Sequence, residues 1–308
     1  MGTPEFAVPC LDILIKNHYN VVGVVTVPDK PAGRGQQLHE SAVKLYAKEK
    51  GLKILQPVKL KDPEFVNELK TLNADLQIVV AFRMLPEEVW NMPKLGTYNL
   101  HASLLPKYRG AAPINWAIIN GETETGVTTF KLKHEIDTGS IMFQEKVKIN
   151  ATTTAGELHD ELMRVGAELI LKTVQAIEFG KYELKQQEDC GVIHAPKIFK
   201  DTCKINWNKP VSEINNLIRG LSPYPAAFTE FADLKNQVLS VKIFSGKPII
   251  ESHPYENGTL ITDNKTYLRI AADGGLLEVS ELQLQGKKKM GTGEFLRGYK
   301  FPEKTIFK

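Results

Sequence analysis

The sequence is poor in cysteine and has no long apolar run. Only three cysteines, Cys10, Cys190 and Cys203, occur among its 308 residues, and their spacing fits neither a disulfide framework nor a four-ligand zinc site. No stretch reaches the roughly 18 apolar residues of a membrane helix. The opening letters MGTPEFAVPC lack the basic and apolar regions of a secretory signal. We therefore expect a cytoplasmic protein without a bound metal.

The chain also has little net charge, and the small excess is unevenly distributed. The formal net charge is +3. From Ile198 onward, 16 Lys and Arg stand against 12 Asp and Glu, whereas the residues before it carry 23 against 24. A phosphate-rich partner would favour such a basic C-terminal third. An excess of this size is also common in proteins that bind no nucleic acid.

Two familiar motifs are incomplete. Gly33 and Gly35 follow a predicted strand, as in a dinucleotide-binding turn, but Leu38 stands where the third glycine belongs. Ser103 has no G-x-S-x-G elbow around it. These departures exclude a nicotinamide site at the turn over residues 33–38 and a hydrolase nucleophile at Ser103.

The first half of the chain alternates short β-branched runs with amphipathic stretches, which is typical of a mainly parallel sheet flanked by helices. The predicted strands cover residues 20–27, 76–82, 96–101, 126–133 and 140–149, and the predicted helices cover 4–16, 41–50, 63–72 and 154–179. We predict a Rossmann-like N-terminal domain over residues 1–185.

The periodicity changes in the last third of the chain. Residues 186–204 are mostly polar and form a predicted linker. A short helix over 211–219 then precedes short alternating runs separated by Gly, Asn and Asp turns, a pattern typical of a small barrel. The fold class is therefore α/β, with a smaller OB-like β-barrel domain over residues 205–308.

One strand carries a candidate catalytic pair. Residues i and i+2 of a strand share a face, so Asn99 and His101 project together at the C-terminal end of a strand, where open α/β sheets bind ligands. An Asn amide and an imidazole can both donate hydrogen bonds to an oxyanion. Asp137, in the loop sequence HEIDTGS, could orient the His101 ring. Scaffolding is the alternative role for a histidine at a strand end, and Asp-Thr-Gly is also a good turn sequence.

The stretch NLHASLLPKYRGAAPINWAIINGETETGVT at 99–128, followed by DTG at 137–139, resembles the 10-formyltetrahydrofolate-dependent formyltransferases. The resemblance covers nearly the whole chain and implies a folate formyl donor. It assigns the catalytic roles to Asn99, His101 and Asp137, and the folate-contacting turn to Ser103, Leu104, Leu105 and Pro106. It also places the folate rings beside AFRMLP at 81–86, which assigns Phe82, Arg83 and Met84 to that slot. In this segment the sequence has Phe82 and Arg83 where a common form of the family has Tyr and Gly after the alanine.

Within this family, the loop PDKPAGRGQQL at 28–38 and the β-rich C-terminal domain resemble the members that act on methionyl-initiator tRNA. The resemblance implies that Lys30 and Arg34 reach the acceptor arm of that partner. The cluster Lys287, Lys288 and Lys289 could follow tRNA phosphates, and an ordinary solvated surface is its alternative interpretation.

The implied reaction is direct formyl transfer from 10-formyltetrahydrofolate to the α-amine of methionine on its tRNA. Asn99 and protonated His101 would stabilise the oxyanion, and Asp137 would hold His101 and assist proton movement. Two alternatives stay open: a formyltransferase acting on an amino-sugar nucleotide, and a non-catalytic RNA-binding relative.

The family pattern places an apolar strand immediately before the loop MGTPEF, with which this sequence begins. We therefore expect the first strand of the sheet to be missing. Its neighbour would lose ladder hydrogen bonds, so the expected cost is in stability more than in chemistry. We expect a monomer.

Overall fold

The structure is a computed structural model and describes residues 1–32, 37–188, 190–233 and 235–308. Its contacts divide the chain into two units. The N-terminal unit comprises Met1–Gly110, Glu124–Lys148 and His159–Ala195, and the C-terminal unit comprises Ala111–Thr123, Ile149–Leu158 and Pro196–Lys308.

The strands of the N-terminal unit are β1 (Val24–Val25), β2 (Lys30–Ala32), β3 (Gln37–His39), β4 (Ile54–Leu55), β5 (Gln77–Val80), β6 (Thr97–His101), β7 (Lys107–Gly110), β8 (Glu124–Lys131), β9 (Ser140–Lys148) and β10 (Ile193–Ala195). The helices of the chain are α1 (Val8–Lys16), α2 (Ala42–Glu49), α3 (Pro63–Thr71), α4 (Glu87–Trp90), α5 (Pro113–Ile119), α6 (Ala155–Glu178), α7 (Val211–Leu221) and α8 (Thr292–Gly298). Short 3₁₀ turns lie at Glu5–Ala7 and Asp201–Cys203.

The sheet of the N-terminal unit combines parallel and antiparallel pairs. β5, β6, β8 and β9 are neighbours in that order, with β5 and β6 parallel. The β6–β8 and β8–β9 pairs are antiparallel. β1 pairs with β4, and β7 with β10, both in parallel. The prediction of an α/β unit with a parallel sheet is confirmed, and antiparallel strands extend that sheet on one side.

Helix starts follow the chemistry of their capping residues. The Ser41 hydroxyl accepts a hydrogen bond from the Lys44 backbone N–H at 3.2 Å at the start of α2. Thr154 and Glu157 form a capping box before α6, because each side chain accepts a hydrogen bond from the other's backbone N–H. The helices predicted over 41–50, 63–72 and 154–179 are therefore confirmed within one residue at each end.

The strand predicted over residues 20–27 was too long. Only Val24 and Val25 pair with a neighbour, facing Ile54 and Leu55 of β4. Residues 20–23 line a cavity of about 740 Å³ and have no ladder partner in the described part of the chain. Composition alone cannot separate a paired strand from an extended segment beside a cavity, because pairing depends on what lies alongside.

The first two residues lie between β1 and β5. The Met1 amine donates a hydrogen bond to the Ile78 carbonyl at 2.7 Å, and the Gly2 N–H donates to the Val25 carbonyl at 3.1 Å. The Val80 N–H donates back to the Met1 carbonyl at 2.9 Å. The cavity beside them has neither Asn99 nor His101 among its lining residues, so it is not the candidate catalytic site.

The C-terminal unit is built on an antiparallel sheet. Its strands are β11 (Ala227–Ala232), β12 (Val238–Ile250), β13 (Leu260–Thr262), β14 (Leu268–Ala272), β15 (Gly275–Leu284) and β16 (Met290–Gly291). The sheet order is β11-β12-β15-β14-β13, with β16 also pairing with β15. Phe231, Phe301 and Phe307 pack in its core with ring centroids between 5.3 and 5.9 Å apart. The alternating pattern thus correctly predicted that the C-terminal part of the chain is built on antiparallel β-strands.

The three cysteines differ in accessibility, and none is in a disulfide. Cys10 and Cys203 are buried and Cys190 is exposed. Burial raises the pKa of the Cys10 thiol to about 12 and also raises the pKa of Cys203. Because the thiolate is the reactive form, we expect the native protein at pH 8 to react rapidly with one equivalent of a disulfide reagent. Cys190→Ser should abolish that fast phase, and a fast phase of two or three equivalents would contradict the burial pattern.

Candidate active site

The alternation of β6 presents Asn99 and His101 on one face of the sheet. Leu100, between them, is buried on the other face, where α6 packs against it. A Cβ at Gly166 of α6 would lie only 2.7 Å from the Leu100 side chain, so a larger residue at this crossing would require Leu100 to shift. The helix therefore covers Leu100 and leaves the face of Asn99 and His101 to the loops.

The two nitrogens of the His101 ring meet different acceptors. Nε2 lies 2.8 Å from the Tyr108 carbonyl, and it carries a proton there because a carbonyl oxygen can only accept. Nδ1 lies 3.8 Å from Asp137 Oδ2. The structure thus brings His101 and Asp137 together, although they are far apart in the sequence. Nδ1 is the ring nitrogen that faces the carboxylate.

Asp137 is held in a turn that restricts both its backbone and its side chain. Its φ of +55° lies in the left-handed region, which Asp adopts more readily than most residues. Its Oδ2 accepts a hydrogen bond from the Gly110 N–H at 3.0 Å. Gly110 has φ +126°, and a Cβ there would lie 2.6 Å from the Ala195 carbonyl oxygen. A glycine is therefore required at the residue that binds the carboxylate.

Gln187 and Arg109, which no sequence pattern predicted as site residues, support this turn. Gln187 Nε2 donates to the carbonyl oxygens of Asp137 and Gly139, both at 2.8 Å. Arg109 donates to Gln187 Oε1 from Nε at 3.2 Å and from Nη2 at 2.7 Å. Gln187 falls in the stretch predicted as a linker, where no periodicity marked it.

The Ser-Leu-Leu-Pro turn is held mostly by its own hydrogen bonds. The Ser103 hydroxyl is fully buried and donates to the Lys107 carbonyl at 2.6 Å. Thr128 Oγ1 donates to the Ser103 carbonyl at 2.6 Å and accepts from the Leu105 N–H at 3.2 Å. Leu105 is also buried, whereas Leu104 and Pro106 are half-buried. Of the four assigned residues, only Leu104 and Pro106 present side-chain surface that a ligand could contact.

The three residues assigned to the folate slot after β5, Phe82, Arg83 and Met84, differ in how far their side chains are already used within the protein. Arg83 donates from Nη1 to the Val58 carbonyl at 2.8 Å and from Nη2 to the Pro57 carbonyl, and its guanidinium lies 5.6 Å from the centre of the Phe82 ring. The Arg83 side chain is therefore partly used in holding a neighbouring loop, and the Phe82 ring lies against its guanidinium. Met84 is 65% exposed and is the residue of this segment with the most apolar surface available to a ligand.

The candidate tRNA-contacting residues lie in both units. Lys30 is exposed at the start of β2, which pairs with β3 in a hairpin. The base of this hairpin is fixed because Asp29 accepts hydrogen bonds from Lys44 and Gln56, which lower the pKa of Asp29. Arg34 lies outside the described residues.

Lys287, Lys288 and Lys289 are all exposed in the turn between β15 and β16. Lys289 Nζ lies 2.8 Å from Glu281 Oε2 and 4.9 Å from the centre of the Phe244 ring. Its charge is therefore partly balanced by the protein itself, unlike a lysine that extends into solvent.

The described residues include no group of three His, Cys, Asp or Glu side chains that could hold a metal ion. None of the described helices is both long and apolar enough to cross a membrane.

The site and fold together match one class of enzyme. The family described as formyl transferase matches residues 1–174, and the C-terminal domain of formyl transferases matches residues 197–300. The chain belongs to the formyl transferase family.

Its similarity to one kind of formyl transferase extends over nearly its full length. The methionyl-tRNA formyltransferase of Bacteroides fragilis is 54% identical over 307 residues, which are 98% of this chain and 95% of that protein. The methionyl-tRNA formyltransferase of Phocaeicola vulgatus is 57% identical over 308 residues, 97% of this chain and 94% of that protein.

A solved structure confirms the fold. The N-formyltransferase from Helicobacter canadensis, in complex with folinic acid and dTDP-3-aminofucose, aligns with a TM-score of 0.67 at 24% sequence identity. The alignment covers 94% of this chain and 97% of that one. At this identity the likeness supports the formyltransferase fold and does not bear on the choice of substrate.

Proposed function

We propose that this protein transfers the formyl group of 10-formyltetrahydrofolate to the α-amine of methionyl-initiator tRNA, giving the formylmethionyl-tRNA used in translation initiation. One observation carries the proposal: methionyl-tRNA formyltransferases are 54% and 57% identical to this chain across the segments of both units. The N-formyltransferase from Helicobacter canadensis, solved in complex with dTDP-3-aminofucose, is 24% identical.

In the proposed reaction, the amine of methionine attacks the formyl carbon carried on N10 of the folate. A new C–N bond forms, and the carbonyl electrons move onto the oxygen of a tetrahedral intermediate. The Asn99 carboxamide donates a hydrogen bond to that oxyanion. It is suited to this because its side chain is half-buried on the open face of β6 and makes no hydrogen bond to another described residue. Preorganised donors of this kind act where charge develops.

Asp137, beside His101, then takes part in transferring the proton that the attacking amine loses. With Nε2 committed to the Tyr108 carbonyl, the second N–H of an imidazolium ring would point from Nδ1 toward Asp137. In this orientation neither ring N–H is left for the oxyanion, so the proposed oxyanion donor is Asn99, and the oxyanion contact predicted for His101 is not part of the proposed reaction. Asp137 accepts a proton from the amine, directly or through water. When the intermediate collapses, the bond from carbon to folate N10 breaks, and the proton passes to that nitrogen. The products are the formylated amine and tetrahydrofolate.

The folate rings would lie against the exposed apolar surface near the trio. Leu104 and Pro106 of the turn after β6 and Met84 after β5 provide such surface. Ser103 and Leu105 support the site from beneath, because their side chains are buried in the turn. Phe82 and Arg83 would shape the slot and hold its neighbouring loop.

The C-terminal unit would bind tRNA as an OB-like barrel. In support, its sheet has a continuous path of five antiparallel strands. β12 has 13 residues, pairs with both β11 and β15, and shifts register near Ser245, as strands that curl toward closure do. We also propose that the protein acts as a monomer, because His101 and Asp137 already meet within one N-terminal unit and the proposed reaction calls for no residue of a second copy.

A formylation assay tests the proposed function directly. Methionyl-initiator tRNA and 10-formyltetrahydrofolate should yield formylmethionyl-tRNA in proportion to enzyme and time. An amino-sugar nucleotide in place of the tRNA should give no product. Product from the sugar nucleotide alone would favour the first alternative, and tight tRNA binding without product would favour the non-catalytic one.

The basic residues should contribute to tRNA affinity in a salt-dependent way. We expect Lys30→Gln and the pair Lys287→Gln with Lys288→Gln to weaken tRNA binding. Each should also lower the slope of log Kd against log salt by about one per lost phosphate contact. Lys181→Gln, another exposed lysine, is the matched control. A slope equal to that of wild type in both variants would remove these lysines from the interface.

A further inference from the structure

We infer that Gln187 is a positioning residue for formyl transfer, which acts by holding the Asp137 turn beside His101. This inference rests on the proposed function. Gln187 lies well outside the sequence segment that carries the trio, yet its amide contacts the backbone on both sides of Thr138. The carboxamide thus holds the two ends of the Asp-Thr-Gly turn.

The orientation of this carboxamide is determined by its surroundings. An amide side chain has one acceptor oxygen and two N–H donors. Arg109 donates to Oε1 from two of its nitrogens, and a guanidinium has no acceptor. The NH₂ group must therefore point toward the carbonyl oxygens of Asp137 and Gly139. Its two donors match these two acceptors, so the arrangement is fully satisfied in only one rotamer.

Holding the turn in this way also places the carboxylate. Asp137 has a left-handed backbone, so its side-chain direction follows from the exact course of the turn. Gly110 donates to Oδ2 at 3.0 Å from the strand that also carries Arg109. Asp137 is thus bound to β7 in two ways. Its backbone carbonyl is connected to Arg109 through Gln187, and its carboxylate is bound directly by the Gly110 N–H. A shift of this turn by 1 Å would alter the 3.8 Å separation of Oδ2 from His101 Nδ1.

Kinetics of two variants test the role. Gln187→Glu keeps the acceptor for Arg109 but removes both donors, and Gln187→Met keeps the volume without polar groups. We expect each to lower kcat about 10- to 100-fold, because misplacing a catalytic group by about 1 Å has an effect of that size. KM for both substrates should change less than about threefold, as for an interaction that matters in the transition state. Gln186→Ala, at the exposed neighbouring residue, is the control and should retain wild-type kinetics.

A double-mutant cycle separates positioning from a general structural role. If Gln187 acts through Asp137, adding Gln187→Glu to an Asp137→Asn variant should lower kcat by less than about threefold further. Full additivity of the two losses, or wild-type kcat in both folded Gln187 variants, would overturn the inference.

An experiment without substrates keeps this inference distinct from the proposed function. Hydrogen exchange at the Gly110 amide reports its bond to Asp137 Oδ2. Exchange should accelerate in Gln187→Glu and Gln187→Met, but not in Gln186→Ala, while the Thr129 amide of the β8–β9 ladder stays protected in all three. Unchanged exchange at Gly110 would overturn the positioning role. Absence of formyl transfer by the wild type would instead count against the proposed function alone.

Discussion

Asn99→Ala lowers the turnover of formyl transfer by about 100- to 1000-fold, which is the typical cost of removing one oxyanion donor. The side chain is half-buried on the open face of β6 and is not used in holding the described protein together. Its loss should therefore reduce kcat without lowering the melting temperature. Asn99→Asp keeps the shape but replaces the donor with an acceptor, so we expect a loss at least as large.

The measurement is the initial rate of formylmethionyl-tRNA formation with both substrates saturating. Asn67→Ala, at an exposed position on α3, is the matched control and should keep the wild-type rate. His101→Ala should show a loss similar to that of Asn99→Ala. Near-full activity of both alanine variants, with intact folding, would remove the pair from the catalytic site.

Gly139→Ala destabilises the N-terminal unit by about 3 kcal/mol or more and abolishes activity. A Cβ at this position would lie 1.8 Å from the Lys131 carbonyl oxygen and 2.7 Å from the Phe130 ring. Neither neighbour can move freely, because both belong to the β8–β9 ladder. Overpacking of a rigid site typically costs about 1–3 kcal/mol, and more where backbone must shift. The displaced backbone would carry the Asp137 turn with it.

Denaturant unfolding at constant pH measures this effect. Gly293→Ala is the matched control, because nothing lies within 4 Å of its added Cβ and Ala is favoured over Gly in a helix such as α8. We expect that variant to change the free energy of unfolding by less than about 1 kcal/mol. A Gly139→Ala protein as stable as the wild type would show that β8 and β9 adapt more easily than their geometry indicates.

The sequence by itself determined the elements whose cause is local. Ser41 and Asp62 begin helices because their side chains bond the exposed N–H groups of the next turn. Asn99 and His101 share a face because side chains alternate along any extended strand. The motif from Asn99 to Thr128, through its resemblance to formyltransferases, also correctly indicated the family.

Only the tertiary structure decided which distant groups meet, because such contacts depend on how strands return to one another. Among the described residues, the 20–27 segment forms ladder pairs at only two positions, since pairing requires a neighbour that apolar composition does not reveal. The Ser103 hydroxyl is used within its own turn, which no spacing could show. Asp137 approaches His101 because Gly110 lacks a side chain and Gln187 ties the turn to β7. These contacts join separate segments of the chain, so they follow from packing and not from local preference.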